Sequence, residues 1–123
     1  MSIVRDDLHY TKEHEWVKSD GKNAYVGITD FAQHELGEIV YVEFTKETGD
    51  EIEAHDEFAS VESTKSTSQV FTPVSGKIAA YNTKLEDNSE LINNSSYDDG
   101  WIIKIEMSNV TELNGLMSAS QYK

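Results

Sequence analysis

The chain contains no cysteine in 123 residues. That removes disulfides, thiolate nucleophiles and sulfur-ligated metals together, and it fits a reducing compartment. Pro73 is the single proline, and the seven glycines form no glycine-rich loop ahead of a lysine that could cradle phosphate. Bases are scarce: ten Lys and Arg stand against 23 Asp and Glu, a formal charge of -13. Such a surface repels nucleic acid and anionic membranes at long range and favours basic protein partners, so neither nucleic acid nor membrane is expected among its ligands. No apolar run approaches the length of a membrane span. The first dozen residues carry Arg5, Asp6, Asp7 and Lys12 around no apolar core, so neither a secretory signal nor a transit peptide is read there. The expected location is the bacterial cytoplasm, or the mitochondrial matrix for a trimmed eukaryotic chain.

What is present is a series of short alternating segments bounded by Gly, Asn, Asp or Pro, the pattern of a mainly β sandwich or barrel of one domain's length. Strands are expected over 24–28, 39–44, 58–63, 66–72, 77–81 and 101–106, the last with Trp101, Ile103 and Ile105 on one face. Thr29 or Asp30 can cap a short helix over about 29–36, ending near Gly37. Residues 82–100 form a mostly polar connection anchored by Leu85, Leu91, Ile92 and Tyr97. Val110, Leu113, Leu116 and Met117 recur at helical spacing, which predicts a C-terminal helix near 109–117 and a further short turn from Ser118 through Tyr122.

Several catalytic patterns fail on inspection. His14-Glu15 meets Lys18, and His34-Glu35 meets Glu38, where a helical zinc motif needs a second histidine. His9, Glu13 and His14 are close enough in sequence to be weighed as a metal site, but scattered histidines more commonly serve surface or capping roles. Ser75 lacks the glycine-flanked elbow of a serine nucleophile. With so many acids, some carboxylate pair will stand at glycosidase spacing by chance.

Lys65 is the conspicuous residue. From Ser60 to Ser75 the only ionisable side chains are Glu62 and Lys65, while eight positions are Ser or Thr. The pattern reads as a strand, a Thr64-Lys65 tip and a return strand closed by Pro73 and Gly76, with one amine at the apex. Three roles are open to such an amine. It can be an ordinary exposed turn lysine, a Schiff-base nucleophile in a desolvating pocket, or the anchor of an acylated swinging arm. The hydroxyl-rich flanks do not suggest the pocket and leave room for a modifying enzyme.

Glu62-Ser63-Thr64-Lys65 followed by Pro73-Val74-Ser75-Gly76 resembles the lipoyl-attachment hairpin of the glycine cleavage system H-protein family. The resemblance runs over nearly the whole chain. It includes Tyr10-Thr11-Lys12-Glu13-His14-Glu15-Trp16-Val17, Val26-Gly27-Ile28-Thr29-Asp30-Phe31-Ala32-Gln33 and Leu36-Gly37-Glu38-Ile39-Val40-Tyr41-Val42-Glu43, all in order. Glu90-Leu91-Ile92-Asn93, Gly100-Trp101-Ile102-Ile103-Lys104 and Tyr122 follow. The resemblance implies a single domain over 1–123, with a lipoyl-binding core of about 24–106. Its fold would be a hybrid barrel-sandwich of two small antiparallel sheets, like the lipoyl and biotinyl domains, with flanking helices.

It further implies lipoate in amide linkage to Lys65, with Glu62 helping a lipoylating enzyme to recognise the site. The chain would then be a non-catalytic carrier. It would take an aminomethyl group from a pyridoxal-phosphate glycine decarboxylase to a folate-dependent aminomethyltransferase, with reoxidation by the flavin dihydrolipoyl dehydrogenase. Glu13, His14 and Asp30 lie in matching blocks and could shelter the arm. Thr64 and Ser66 stand where the family more often has Val and Ala, and Ser89 and Ser96 replace its prolines. Biotin carriers usually set the lysine between methionines, and 2-oxoacid dehydrogenase lipoyl domains show Asp-Lys-Ala; neither matches. Two other readings remain at this point: a donor that relays lipoyl or octanoyl groups to other carriers, and an unmodified interaction module.

Overall fold

The computed structural model of the chain describes residues 4–122. In chain order its strands are β1 (His9–Tyr10), β2 (Glu15–Asp20), β3 (Asn23–Ile28), β4 (Ile39–Phe44), β5 (Glu51–Ile52), β6 (Glu57–Ser63), β7 (Thr67–Phe71), β8 (Gly76–Tyr81) and β9 (Ile103–Met107). A six-stranded sheet runs β1-β2-β3-β9-β8-β5 and a three-stranded sheet runs β4-β6-β7. Every pairing is antiparallel. This is the mainly β architecture expected from the alternating segments, in the two antiparallel sheets that the family resemblance implies.

Register explains the core. Val17 lies opposite Val26, which lies opposite Ile103, and Ala24 opposite Ile105, which lies opposite Ile78. In the small sheet Val42 lies opposite Val61. These side chains are all buried in one cluster between the sheets, so the period-two alternation of each strand is converted into a shared apolar layer. β2 is apolar on both faces, and Trp16 points the other way into a second cluster with Leu8, Tyr10, Tyr97 and Ala119. Its indole covers Gly27, where an added Cβ would lie 2.8 Å from three ring atoms, and its Nε1–H donates to the Ser96 carbonyl at 2.9 Å.

The first helix, α1 (Asp30–Leu36), starts as expected: the Thr29 hydroxyl accepts the Ala32 N–H. The 82–100 connection is more ordered than its polarity suggests, because it contains α2 (Lys84–Asp87) and α3 (Leu91–Asn94), which bury Leu85 and Ile92. Two local expectations are revised. Trp101 does not share a strand face with Ile103; β9 begins after it, and its ring packs edge-on against Tyr25 at 5.3 Å. The C-terminal segment is helical where expected, but as a 3-10 helix over Val110–Gly115. A spacing of three between Val110, Leu113 and Leu116 suits three residues per turn. Leu113 and Leu116 pack on the core while Val110 stays exposed. Met117 leaves that helix and exchanges both backbone hydrogen bonds with Tyr10, and α4 (Ala119–Tyr122) then follows as the short terminal turn.

Candidate carrier site at the Lys65 hairpin

β6 and β7 form the expected hairpin, in continuous register from Ala59–Val70 to Glu62–Thr67, with a one-residue shift between Glu57 and Ala59 at its base. The Ser63 side chain closes its tip. The hydroxyl accepts the N–H groups of Lys65 at 3.2 Å and Ser66 at 3.0 Å and donates to the Ser66 carbonyl at 3.0 Å. The Ser63 N–H also reaches that carbonyl at 2.8 Å. A serine here gives a hydrogen-bonded substitute for a backbone turn. Thr64, Lys65 and Ser66 are exposed, as is Glu62.

The tip does not hang free. The Thr64 N–H donates to the Glu38 carbonyl at 3.1 Å. The Lys65 stem lies over Gly37, where a Cβ would come within 3.0 Å of Cε and 3.8 Å of Nζ. Gly37 ends α1 with φ 83° and ψ -153°, a conformation that side chains rarely adopt, and its N–H returns to the Gln33 carbonyl. The lysine amine is thereby set beside the carbonyl end of a helix, the end that favours positive charge. Asn93 pins the same segment from below. Its amide NH2 donates to the Gly37 carbonyl at 2.9 Å and to Gln33 Oε1 at 2.8 Å, while its Oδ1 accepts the Ile39 N–H at 2.9 Å.

Beside Gly37 a groove of about 300 Å³ runs between α1 and the hairpin; its lining includes Glu13, His14, Glu15, Phe31, Leu36 and Gln69. Glu15 is 4% exposed. Its Oε2 accepts the Phe71 N–H at 2.8 Å and its Oε1 accepts the Thr11 hydroxyl at 3.1 Å, which ties β2 to the end of the hairpin. Burial raises its carboxyl pKa to about 7; the Phe71 and Thr11 hydrogen bonds oppose the rise and the nearby Glu13 charge adds to it. His14 holds the adjoining turn at φ 66°. Its Nδ1 shares a 2.7 Å hydrogen bond with the Tyr122 hydroxyl, its ring sits 4.6 Å from Phe31, and the same hydroxyl meets Thr29 Oγ1 at 2.8 Å.

Of the three residues expected to shelter an arm, Glu13 and His14 line this groove. Asp30 does not: its carboxylate accepts from the Gln33 amide and lies 3.9 Å from His34. His9 sits on β1 opposite Val17, and among the described residues no group of three or more His, Cys, Asp or Glu is disposed to hold a metal. Glu15, Gly37 and Asn93 went unassigned in the sequence, although a signal existed for Glu15: it is an acid directly preceding the apolar pair Trp16-Val17 at the start of a buried strand.

A family model described as glycine cleavage H-protein matches residues 8–123. A glycine cleavage system H protein of Halalkalibacterium halodurans is 50% identical over 123 residues, covering 100% of this chain and 95% of the relative. One from Staphylococcus haemolyticus is 49% identical over 120 residues, covering 98% and 94%. The crystal structure of the H protein of Mycobacterium marinum superposes with a TM-score of 0.86 at 34% identity, covering 97% of this chain and 95% of that one. The two-sheet fold is therefore the barrel-sandwich of lipoyl-domain-like carriers. Matching in sequence from end to end and in three dimensions over nearly its full length, the chain belongs to the glycine cleavage system H-protein family.

Proposed function

We propose that this H protein is a non-catalytic carrier, one unit over 1–123 with its arm-bearing core at about 24–106. Lipoate is joined in amide linkage to Lys65, and the aminomethyl group of glycine is its cargo. The observation that carries the reading is an exposed amine at the apex of a closed hairpin, seated over Gly37, the residue that follows Leu36 of a groove whose lining includes a buried carboxylate. The residues fit such an arm. The tip is braced by Ser63 without being covered, and the absent Cβ of Gly37 leaves space for the lysine stem.

In acylation the neutral Lys65 Nζ forms the C–N bond to the carboxyl carbon of an activated lipoyl or octanoyl donor, an acyl adenylate or acyl thioester. The donor's bond from that carbon to its leaving group breaks with its electron pair, and one amine proton passes to solvent. Acylation also removes the lysine charge. Once attached, the lipoyl group supplies the two sulfurs that carry the cargo and its reducing equivalents, which a chain without cysteine does not itself provide.

The groove side chains have a separate task. Phe31 and Leu36 offer apolar cover, and Glu13 and Glu35 offer negative charge suited to a cationic amine, so this lining holds an alkyl arm with an ammonium group and keeps water from it. The partners are the pyridoxal-phosphate glycine decarboxylase, the folate-dependent aminomethyltransferase, the flavin dihydrolipoyl dehydrogenase and the lipoylating enzyme. A charge of -13 suits brief encounters with several such enzymes, since electrostatics raises association rate more than residence time.

Coexpression with a lipoylating enzyme and lipoate, followed by intact mass, tests the attachment. One lipoyl adduct is expected on the wild type and none on Lys65→Arg; an adduct that survives the substitution refutes it. Reconstituted glycine decarboxylation and exchange then tests the cargo: a lipoylated chain that fails there but donates its acyl group to other lipoyl domains would be a relay protein instead.

A further inference from the structure

β4 breaks its own alternation beside the hairpin. Ile39 pairs with Ser63, but Tyr41 pairs with Glu62, so Val40 is an extra residue in a β-bulge. Bulges re-aim side chains, and here two consecutive large apolar residues face outward: Val40 is 51% exposed and Tyr41 49%. Regular alternation would hide one of them.

The surrounding charge is of one sign. β4, β6 and β7 carry Glu43, Glu57 and Glu62 and no Lys, Arg or His, and Glu38 precedes β4, with Glu38, Glu43 and Glu62 exposed. Lys65 is the one base between Lys46 and Lys77 apart from His55. Directly paired residues stand about 5 Å apart, so Tyr41 adjoins Glu62, which adjoins the lysine-bearing tip.

Resting on the reading of Lys65 as an acylated residue, we infer that the bulged Val40–Tyr41 pair, with Glu43 and Glu62 beside it, is the docking surface for the enzyme that acylates Lys65. Reach selects this partner. The acylating enzyme must bring a reacting carbon into bonding contact with Nζ before any arm exists, so its surface must abut the tip and its immediate neighbours. Enzymes that use the loaded arm meet its far end. The complementary face is an apolar pocket for Val40 and Tyr41, rimmed by Lys or Arg side chains that meet Glu43 and Glu62. Exposed apolar pairs ringed by charge are the ordinary composition of such a contact.

Acylation kinetics on unlipoylated full-length protein test it, using a lipoate ligase with ATP and octanoate and reading Lys65 adduct by intact mass. A Val40→Ser/Tyr41→Ser variant is expected to lose about tenfold in kcat/KM, chiefly through KM, as truncation of central contact residues commonly does. Val40→Ile/Tyr41→Phe should restore it. Glu43→Gln/Glu62→Gln should raise KM and flatten the rise of KM with salt that the wild type shows. Val110→Ser, an exposed apolar residue outside both sheets, is the control expected to match wild type. Circular dichroism and Tm confirm that each variant is folded.

A serine variant acylated within twofold of wild type overturns the inference while leaving Lys65 as the anchor. A variant acylated normally, yet slowed in aminomethyl transfer once lipoylated, also overturns it and assigns the patch to a later enzyme. A wild type that takes no acyl group overturns the underlying reading itself.

Discussion

Replacing Glu15 by Gln isolates what burial does to the groove carboxylate. In the folded chain the Glu15 carboxyl titrates at about 7 against an ordinary 4.5, mainly because it is shut away from water. The folded state therefore holds this proton more tightly than the unfolded state. Stability from the group is fully present below about pH 4.5 and is lost as pH rises through about 7. At about 1.4 kcal/mol per pH unit of difference, the swing is roughly 3 kcal/mol. For a chain of this length the unfolding entropy is on the order of 0.26 kcal/mol per kelvin, so the swing corresponds to roughly 10 °C in Tm.

Glutamine cannot ionise, yet its Oε1 can still accept the Phe71 N–H and its amide can pair with the Thr11 hydroxyl, so the brace between β2 and the hairpin survives. Urea unfolding of both proteins at half-unit steps from pH 4.5 to 8.5 gives the measurement. Subtracting the variant removes every other titrating group the two share. The difference, wild type minus variant, should fall by roughly 3 kcal/mol across that range, steepest midway between the unfolded and folded values, at about pH 5–6.5. A flat difference would refute the argument that Glu15 is held protonated by burial, and a rising one would show that its hydrogen bonds outweigh desolvation.

Two further substitutions probe the seat of Lys65. Gly37→Ala forces a Cβ onto φ 83°, ψ -153° and to within 3.0 Å of Lys65 Cε; a loss of about 1–3 kcal/mol is expected, read as a Tm drop of about 4–12 °C. An unchanged Tm would mean that the backbone relaxes without strain. Ser63→Ala removes the hydroxyl that takes the Lys65 and Ser66 N–H groups, so hydrogen exchange at those two amides should accelerate while global stability falls by only about 1 kcal/mol, with Ser63→Thr close to wild type. Equal exchange in the alanine variant would remove Ser63 as the brace of the tip.

The parts of this molecule that were legible in advance are those fixed by neighbours in sequence. The strands over Ala24 to Ile28 and Ile39 to Phe44, the Thr29 cap and the hairpin around Lys65 each depend on a few consecutive residues, and each is found where the pattern placed it. Detail was left to the fold where a local pattern has two solutions. A spacing of three suits a 3-10 as well as an α-helix, and contact with the core settled Val110–Gly115 as the former. Trp101 alternates correctly with Ile103 but belongs to the aromatic pair with Tyr25, because the chain reaches β9 only after it.

By itself, then, the sequence determined the candidate anchor: a lone lysine at the tip of a hairpin rich in Ser and Thr, in an acidic chain with no cysteine. Tertiary structure alone decided the surroundings of that anchor. Gly37 lies 28 positions before Lys65 and Asn93 lies 28 after it, and folding joins them through the end of α1. The same folding carries Glu15 from an ordinary acid in a field of 23 to a buried groove carboxyl bonded to Phe71, 56 residues away. Whether an acid is solvated or shut from water depends on what packs over it, and that is a property of contacts between distant segments, which no short stretch of sequence contains.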